Sequence, residues 1–392
     1  RSLGHDRRSG LQDRSGASAA SGKLINTHSR YPRITPMATS LRECARIVDA
    51  TFWEAILLIF LSPIMLGCPA TLQGPIVSQE AIQSEKVKQL ELAFLLAEKR
   101  LDRLAQIYYP LQIASAELCD KDVTNLTGYL VHTTETYPTE FREIATRIYS
   151  LDDSLKVKFV HPFSSAATSG LTSGDRILAI NGRSLQGKSP LDRRNVLAEE
   201  LAASNRLSLQ VDRGGKSLTI VHDLSKGCKY PTLLATNDAI NAIANGDSII
   251  ITSGMVKFAE SETELAFILS HEIAHNALGH NSTNKKVGKA FLHLFLGPQI
   301  TQMTTSGYSR ENESEADYAG LYIAARAGHD VSTASAFWRR MAAEHPQAIQ
   351  GTFTASHPSL PERFLAIEAT TKEIQDKQRI GAQLLPERKS NN

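Results

Sequence analysis

Two histidines four residues apart, His271 and His275, enclose Glu272 in the run His-Glu-Ile-Ala-His. On a helix of 3.6 residues per turn their imidazoles leave nearly the same face, about 40° apart. Both can then reach one Zn²⁺ at about 2.1 Å. Glu272 follows the first histidine, so it stands beside the metal without having to bind it. That is the place of a general base that takes a proton from the attacking water, and the implied chemistry is hydrolysis with one zinc ion as cofactor. A catalytic zinc needs a third protein ligand. Gly at 278 and His at 281 would extend the motif, but Leu278 and Asn281 stand there, and His280 is offset, at the surface or behind the ligands. Glu313 and Asp317 lie four apart further on, so both can face the first helix. One carboxylate on the metal and the other gripping an imidazole N–H would hold such a site.

Several elements must position these residues. Ser261 and Glu264 form a capping box ahead of a helix carrying Leu265, Phe267, Ile268 and Leu269 into the histidine run, and Gly279 marks its stop. A second helix runs from Ser309 to Gly328. Residues 241–244 and the β-branched run 248–252 read as strands around Asn245-Gly246. Upstream, residues 155–225 alternate short β runs (157–160, 177–180, 207–211, 218–221) with Gly-containing turns and one helix over 190–203. Before that, Leu90, Phe94, Ala97, Leu101 and Leu104 recur at helical spacing, and Pro110 is expected to kink or split that helix.

Two family resemblances follow. Ala166-Ala167, Gly170-Leu171, Gly174-Asp175, Ile177 and Asn181-Gly182 resemble the signature of a bacterial PDZ domain. This implies recognition of an extended peptide by strand addition. The histidine run, Ser309-Arg310 through Glu313 and Asp317, and Ser356-His357-Pro358 with Arg363 resemble the gluzincin family of HtpX-like and CAAX-prenyl-endoprotease-like metallopeptidases. The resemblance implies Glu313 as third zinc ligand, with Glu311 and Glu315 as alternatives in other registers. It further implies that His357 is catalytic, touching substrate or the developing oxyanion, that Asp317 stands behind the ligands, and that Arg363 supports the His357 loop. Relatives in those branches carry long hydrophobic spans, whereas residues 290–296 are far too short to cross a membrane. The exported bacterial branch is the closer resemblance. The expected fold class is α+β: a mainly helical, zincin-like metalloprotease domain with a small β-rich PDZ domain before it.

Composition and the remaining motifs bound the rest. With 43 basic against 41 acidic residues and no clustered basic face, nucleic-acid binding is not expected. No G-x-S-x-G run occurs, which argues against a serine hydrolase. The apolar stretch 55–66 fits a secretory leader, and Met65-Leu66-Gly67-Cys68 resembles a lipobox, making Cys68 the lipidation candidate. Cys119 and Cys228 are then a plausible disulfide in an oxidising compartment. The expected organisation is 1–36 disordered or upstream of a true start at Met37, 37–67 signal peptide, 68–150 N-terminal helical segment, 151–226 PDZ, 227–380 zinc metalloprotease and 381–392 disordered tail. The functional expectation is a periplasmic, lipid-anchored zinc metalloendopeptidase that cleaves unfolded or extended polypeptides of the bacterial envelope, in quality control or processing. The alternative is a latent zinc-containing chaperone-like protein or PDZ scaffold.

Overall fold

The computed structural model describes residues 74–280, 308–344, 346, 357 and 360–388. The expected leader, Cys68, the stretch 290–296, Ser356, Pro358 and the last four residues lie outside the described residues. The elements below belong to one compact unit, Val77–Asn392.

Helix α1, Gln79–Ala114, starts at Ser78, whose side chain accepts the Ala81 N–H. Leu104, Ile107, Tyr108 and Leu111 bury one stripe of it at helical spacing. Pro110 does not split the helix but lies inside one continuous element. A proline there removes an N–H and strands the carbonyl four residues back. That carbonyl, Gln106 O, instead accepts from His161 Nε2 at 3.0 Å, so a neighbouring element completes the helix.

The chain then passes through Cys119 into β1 (Val123–Leu126) and β2 (Tyr129–His132), α2 (Arg142–Tyr149), β3 (Leu155–Val160) and the short α3 (Ser165–Thr168). It continues through β4 (Arg176–Ile180), β5 (Arg183–Ser184), α4 (Pro190–Ala203), β6 (Arg206–Arg213), β7 (Lys216–Asp223) and β8 (Ser225–Cys228). An antiparallel sheet of order β2-β3-β4-β6-β7, with β5 on β4, forms the β-rich part. Alternate residues of β6, Leu207, Leu209 and Val211, point into its core, where Val196 and Leu197 of α4 cover them. The sheet recruits β2 from ahead of residue 151. Strand β1 pairs with β8, and the Cys119–Cys228 disulfide (Cα–Cα 5.7 Å) closes the same ends. Lys158 of β3 reaches Glu98 of α1 at 2.7 Å, both largely buried, so an ion pair also ties this sheet to the long helix.

The second part opens with β9 (Thr232–Ala235), β10 (Ala242–Ala244) and β11 (Ile249–Thr252), ordered β10-β11-β9 with β11 buried along its whole length. Helices α5 (Ser253–Phe258), α6 (Glu262–Ala277), α7 (Arg310–Arg326), α8 (Ala334–Glu344) and α9 (Pro361–Arg379) follow. Every residue of α6 from Leu265 to Asn276 is buried, as befits a helix enclosed by its neighbours. Ser261 accepts the Glu264 N–H at 3.1 Å, while the Glu264 carboxylate reaches back to the Glu260 N–H at 2.7 Å, one residue earlier than a strict capping box. Gly320 sets the α6–α7 approach. A Cβ there would lie 3.0 Å from both Cα and N of His271, so only glycine lets α7 come this close.

Candidate metal centre

The depth of α6 puts His271 and His275 out of water, and α7 brings Glu313 between them. The Nε2 atoms of the two histidines are 3.0 Å apart. Glu313 Oε1 is 3.3 Å from His275 Nε2, and its Oε2 is 3.6 Å from His271 Nε2. Tetrahedral zinc with ligands at about 2.1 Å separates them by about 3.4 Å, so this triangle of two imidazoles and a carboxylate suits it. His357 adds a fourth nearby donor: His271, His275, Glu313 and His357 each offer one atom, all within 4.8 Å of one another.

Charge explains how so many polar groups are buried together. Burial works against ionising Glu313, but His357, His275 and Arg363 outweigh it and hold its carboxyl well below the usual range. Burial, with His271 beside it, keeps His275 neutral far below its ordinary value, which leaves a lone pair for a metal. Burial opposes charge on His357 too, yet the Glu313 and Glu272 carboxylates push it up to about 9. His357 thus stands against both carboxylates. Its Nδ1 is 2.9 Å from Glu313 Oε1, and its Nε2 is 3.3 Å from Ala242 O and 3.4 Å from Glu272 Oε1.

Glu272 is buried, and burial raises its carboxyl pKa. Its Oε2 makes no hydrogen bond among the described residues, leaving an acceptor for an incoming proton. Asp317 Oδ1 lies 3.0 Å from His271 Nδ1 and so grips that imidazole from behind. Arg363 holds Asp317 through two 2.8 Å bonds and reaches Glu313 Oε2 at 2.8 Å. Burial opposes ionised Asp317, but Arg363 and His271 lower its pKa overall.

The structure thus brings His271, Glu272, His275, Glu313, Asp317, His357 and Arg363 together. Arg363 sits under the carboxylates rather than only beside the His357 loop, because its guanidinium bridges Glu313 and Asp317. Glu315, the alternative ligand, is largely exposed and meets His280 instead. Two participants escaped the sequence reading. The Tyr308 ring stacks on His275 (centroids 3.7 Å, 20° between planes), and its hydroxyl donates to Ala244 O at 2.8 Å. Asn276 accepts the Gly246 N–H at 2.7 Å and donates to Ser248 O at 3.1 Å, pinning the β10–β11 hairpin to α6. The only signals were adjacency: Tyr308 precedes the Ser309 cap, and Asn276 follows His275.

A buried His-Glu-x-x-His helix that receives a carboxylate from the next helix defines a metallopeptidase-type domain, here preceded by a β-rich unit. Comparison with known proteins sharpens this. Residues 210–371 match Peptidase family M48, whose metal is zinc, and residues 141–209 match the PDZ domain. Among curated relatives, the mitochondrial metalloendopeptidase OMA1 of Schizosaccharomyces pombe is 31% identical over 43% of this chain and 55% of its own length. The putative beta-barrel assembly-enhancing protease of Vibrio cholerae is 31% identical over 31% of this chain and 30% of its own. This chain therefore spans about half or less of those relatives. The solved HtrA3 PDZ domain, bound to a phage-derived ligand, is 21% identical over 26% of this chain and 88% of that one, with a TM-score of 0.20.

Proposed function

We propose that this protein is a zinc-dependent metalloendopeptidase that cleaves extended polypeptides. The observation carrying it is the buried triangle of His271, His275 and Glu313 with the under-bonded carboxylate of Glu272 beside it. His271, His275 and Glu313 would hold the ion. When bound, zinc polarises the scissile carbonyl and makes water easier to deprotonate. Glu272 accepts the proton of the attacking water and returns it to the leaving amine. Strand β10 is an edge of its sheet, so a substrate strand can lie against it, and His357, next to Ala242 O, can turn an N–H to the developing oxyanion.

The finer assignments are part of the same reading. Exported HtpX-like enzymes of the bacterial envelope, acting in quality control or processing, agree with the leader-like stretch and with Cys68 as a lipid-anchor site. The Vibrio relative supports an envelope, while the OMA1 relatives make mitochondria the alternative outcome. Among the described residues no helix is long and apolar enough to cross a membrane. Strand β2, an edge of the PDZ sheet, offers a place for a peptide ligand. The position of His357 within the donor set favours one second reading, a zinc site kept latent.

Glu272→Gln distinguishes them. The variant should keep about one zinc per chain while cleavage of an unfolded protein falls by about 10²–10⁴-fold. Cleavage at the wild-type rate removes the mechanism; a zinc-loaded wild type with no cleavage favours latency. Palmitate labelling lost in Cys68→Ser would establish the anchor, and unlabelled wild type would dismiss it.

A further inference from the structure

His275 and His271 present Nε2 to the metal triangle, so each needs something to hold Nδ1. For His271 this is Asp317 directly. Among the described residues, no carboxylate meets His275 Nδ1. Its neighbour is another imidazole: His280 Nδ1 lies 3.0 Å away. The far nitrogen, His280 Nε2, is 3.2 Å from Glu315 Oε2. His280 is almost fully covered, with 6% of its side chain exposed, although it sits just past the end of α6.

The backbone explains how a residue beyond the helix reaches back to its last turn. Gly279 has φ +72°. Its N–H bonds Asn276 O at 3.2 Å, and the His280 N–H bonds His275 O at 3.1 Å. This is a helix stop in which a left-handed residue folds the next one over the final turn. A spacing of five, which fails on a helix face, therefore becomes a contact once the glycine reverses the chain.

We propose that His280 and Glu315 form a relay that positions His275 as a metal ligand, resting on the zinc reading above. The proton order follows from the acceptors. A carboxylate oxygen of Glu315 accepts from His280 Nε2–H. His280 Nδ1 then carries a lone pair and accepts from His275 Nδ1–H. His275 Nε2 is left as a lone pair aimed at the other donors. Both ligand imidazoles thus have their tautomer set by a carboxylate, one directly and one through a second imidazole. Glu315 is the exposed end, with 57% of its side chain accessible, so its share is the smaller.

The test is a Zn²⁺ competition titration of the full chain against a chromophoric chelator, with nitrogen-15 NMR of the histidine tautomers. His280→Ala should weaken zinc about 10–100-fold and release His275 from its single tautomer. Glu315→Ala should weaken it less, and Glu315→Gln, which still accepts, should restore most of the loss. The double variant His280→Ala/Glu315→Ala should be no worse than His280→Ala alone. Wild-type zinc affinity in His280→Ala, or additive losses in the double variant, overturns the relay. If His280→Ala does not fold, the pair Glu315→Ala and Glu315→Gln decides by loss and rescue, with equal affinities counting against it. A wild type that takes up no zinc would instead defeat the metal reading on which the relay rests.

Discussion

At the residue scale, the centre places three carboxylates, Glu272, Glu313 and Asp317, in one buried volume. Burying such groups is unfavourable unless each finds a charge or a donor. Arg363 answers Glu313 and Asp317, and His357 answers Glu272, so charge balance here hangs on few atoms. If Glu313 is the third ligand, removing it should harm metal binding more than removing a residue behind the ligands. Glu313→Ala should lower zinc affinity more than Asp317→Ala, for which about 10–100-fold is expected of an outer partner. Glu311→Ala should leave it near wild type. Equilibrium zinc titration orders the three variants, and a larger loss in Glu311→Ala would move the third ligand to another register.

At the element scale, the site is the seam between α6 and α7, and Gly320 keeps that seam narrow. Adding a methyl puts an atom 3.0 Å from the backbone of His271, which no side-chain rotation can relieve. The helices must then part by a few tenths of an ångström. Overpacking of this kind costs about 1–3 kcal/mol, and the displacement acts on Glu313, two turns away on α7. Gly320→Ala should lower both the thermal midpoint and zinc affinity; unchanged values for both would show the seam to be compliant. Helix α1 makes the complementary case. Pro110 interrupts its own hydrogen-bond ladder, and His161 from the end of β3 fills the gap. A helix packed into the core beneath the metal site is thus completed by a residue at the edge of the PDZ sheet.

At the scale of the whole molecule, the PDZ sheet is closed at its neck by the β1–β8 ribbon and the Cys119–Cys228 bridge, which spans 109 positions. Closing so long a loop restricts the unfolded chain and is worth about 2–4 kcal/mol. Reduction should lower the urea midpoint accordingly, and Cys228→Ser should match it; a midpoint indifferent to reductant would contradict this. Acid should act on the same region. Burial, with Lys158 and Lys156 nearby, lowers His132 from 6.5 to about 4 in the folded chain. Between those values the unfolded chain binds a proton that the folded one refuses. Stability is thus fully present above about pH 6.5 and declines as pH falls towards 4, by at most about 3 kcal/mol. Urea midpoints at pH 7 and 4.5 should show a smaller drop in His132→Gln than in wild type.

What the amino-acid order determined by itself was whatever a single helix or turn decides. The period of 3.6 alone puts His271 and His275 on one face with Glu272 beside them. It likewise brings Glu313 and Asp317 to one side of α7, and a glycine at 279 ends the helix. Alternation of two made β6 legible to within a residue or two. Tertiary structure decided which carboxylate meets the metal triangle, because that depends on how α7 is rotated and how closely Gly320 lets it approach. It also decided that Arg363 bridges Glu313 and Asp317, that Tyr308 covers His275, that Glu315 turns to His280, and that β2 joins a sheet from outside its expected bounds. Each of these joins residues many positions apart, and no local period records such distances. They arise only when buried charges and a tight helix seam select one packing among many.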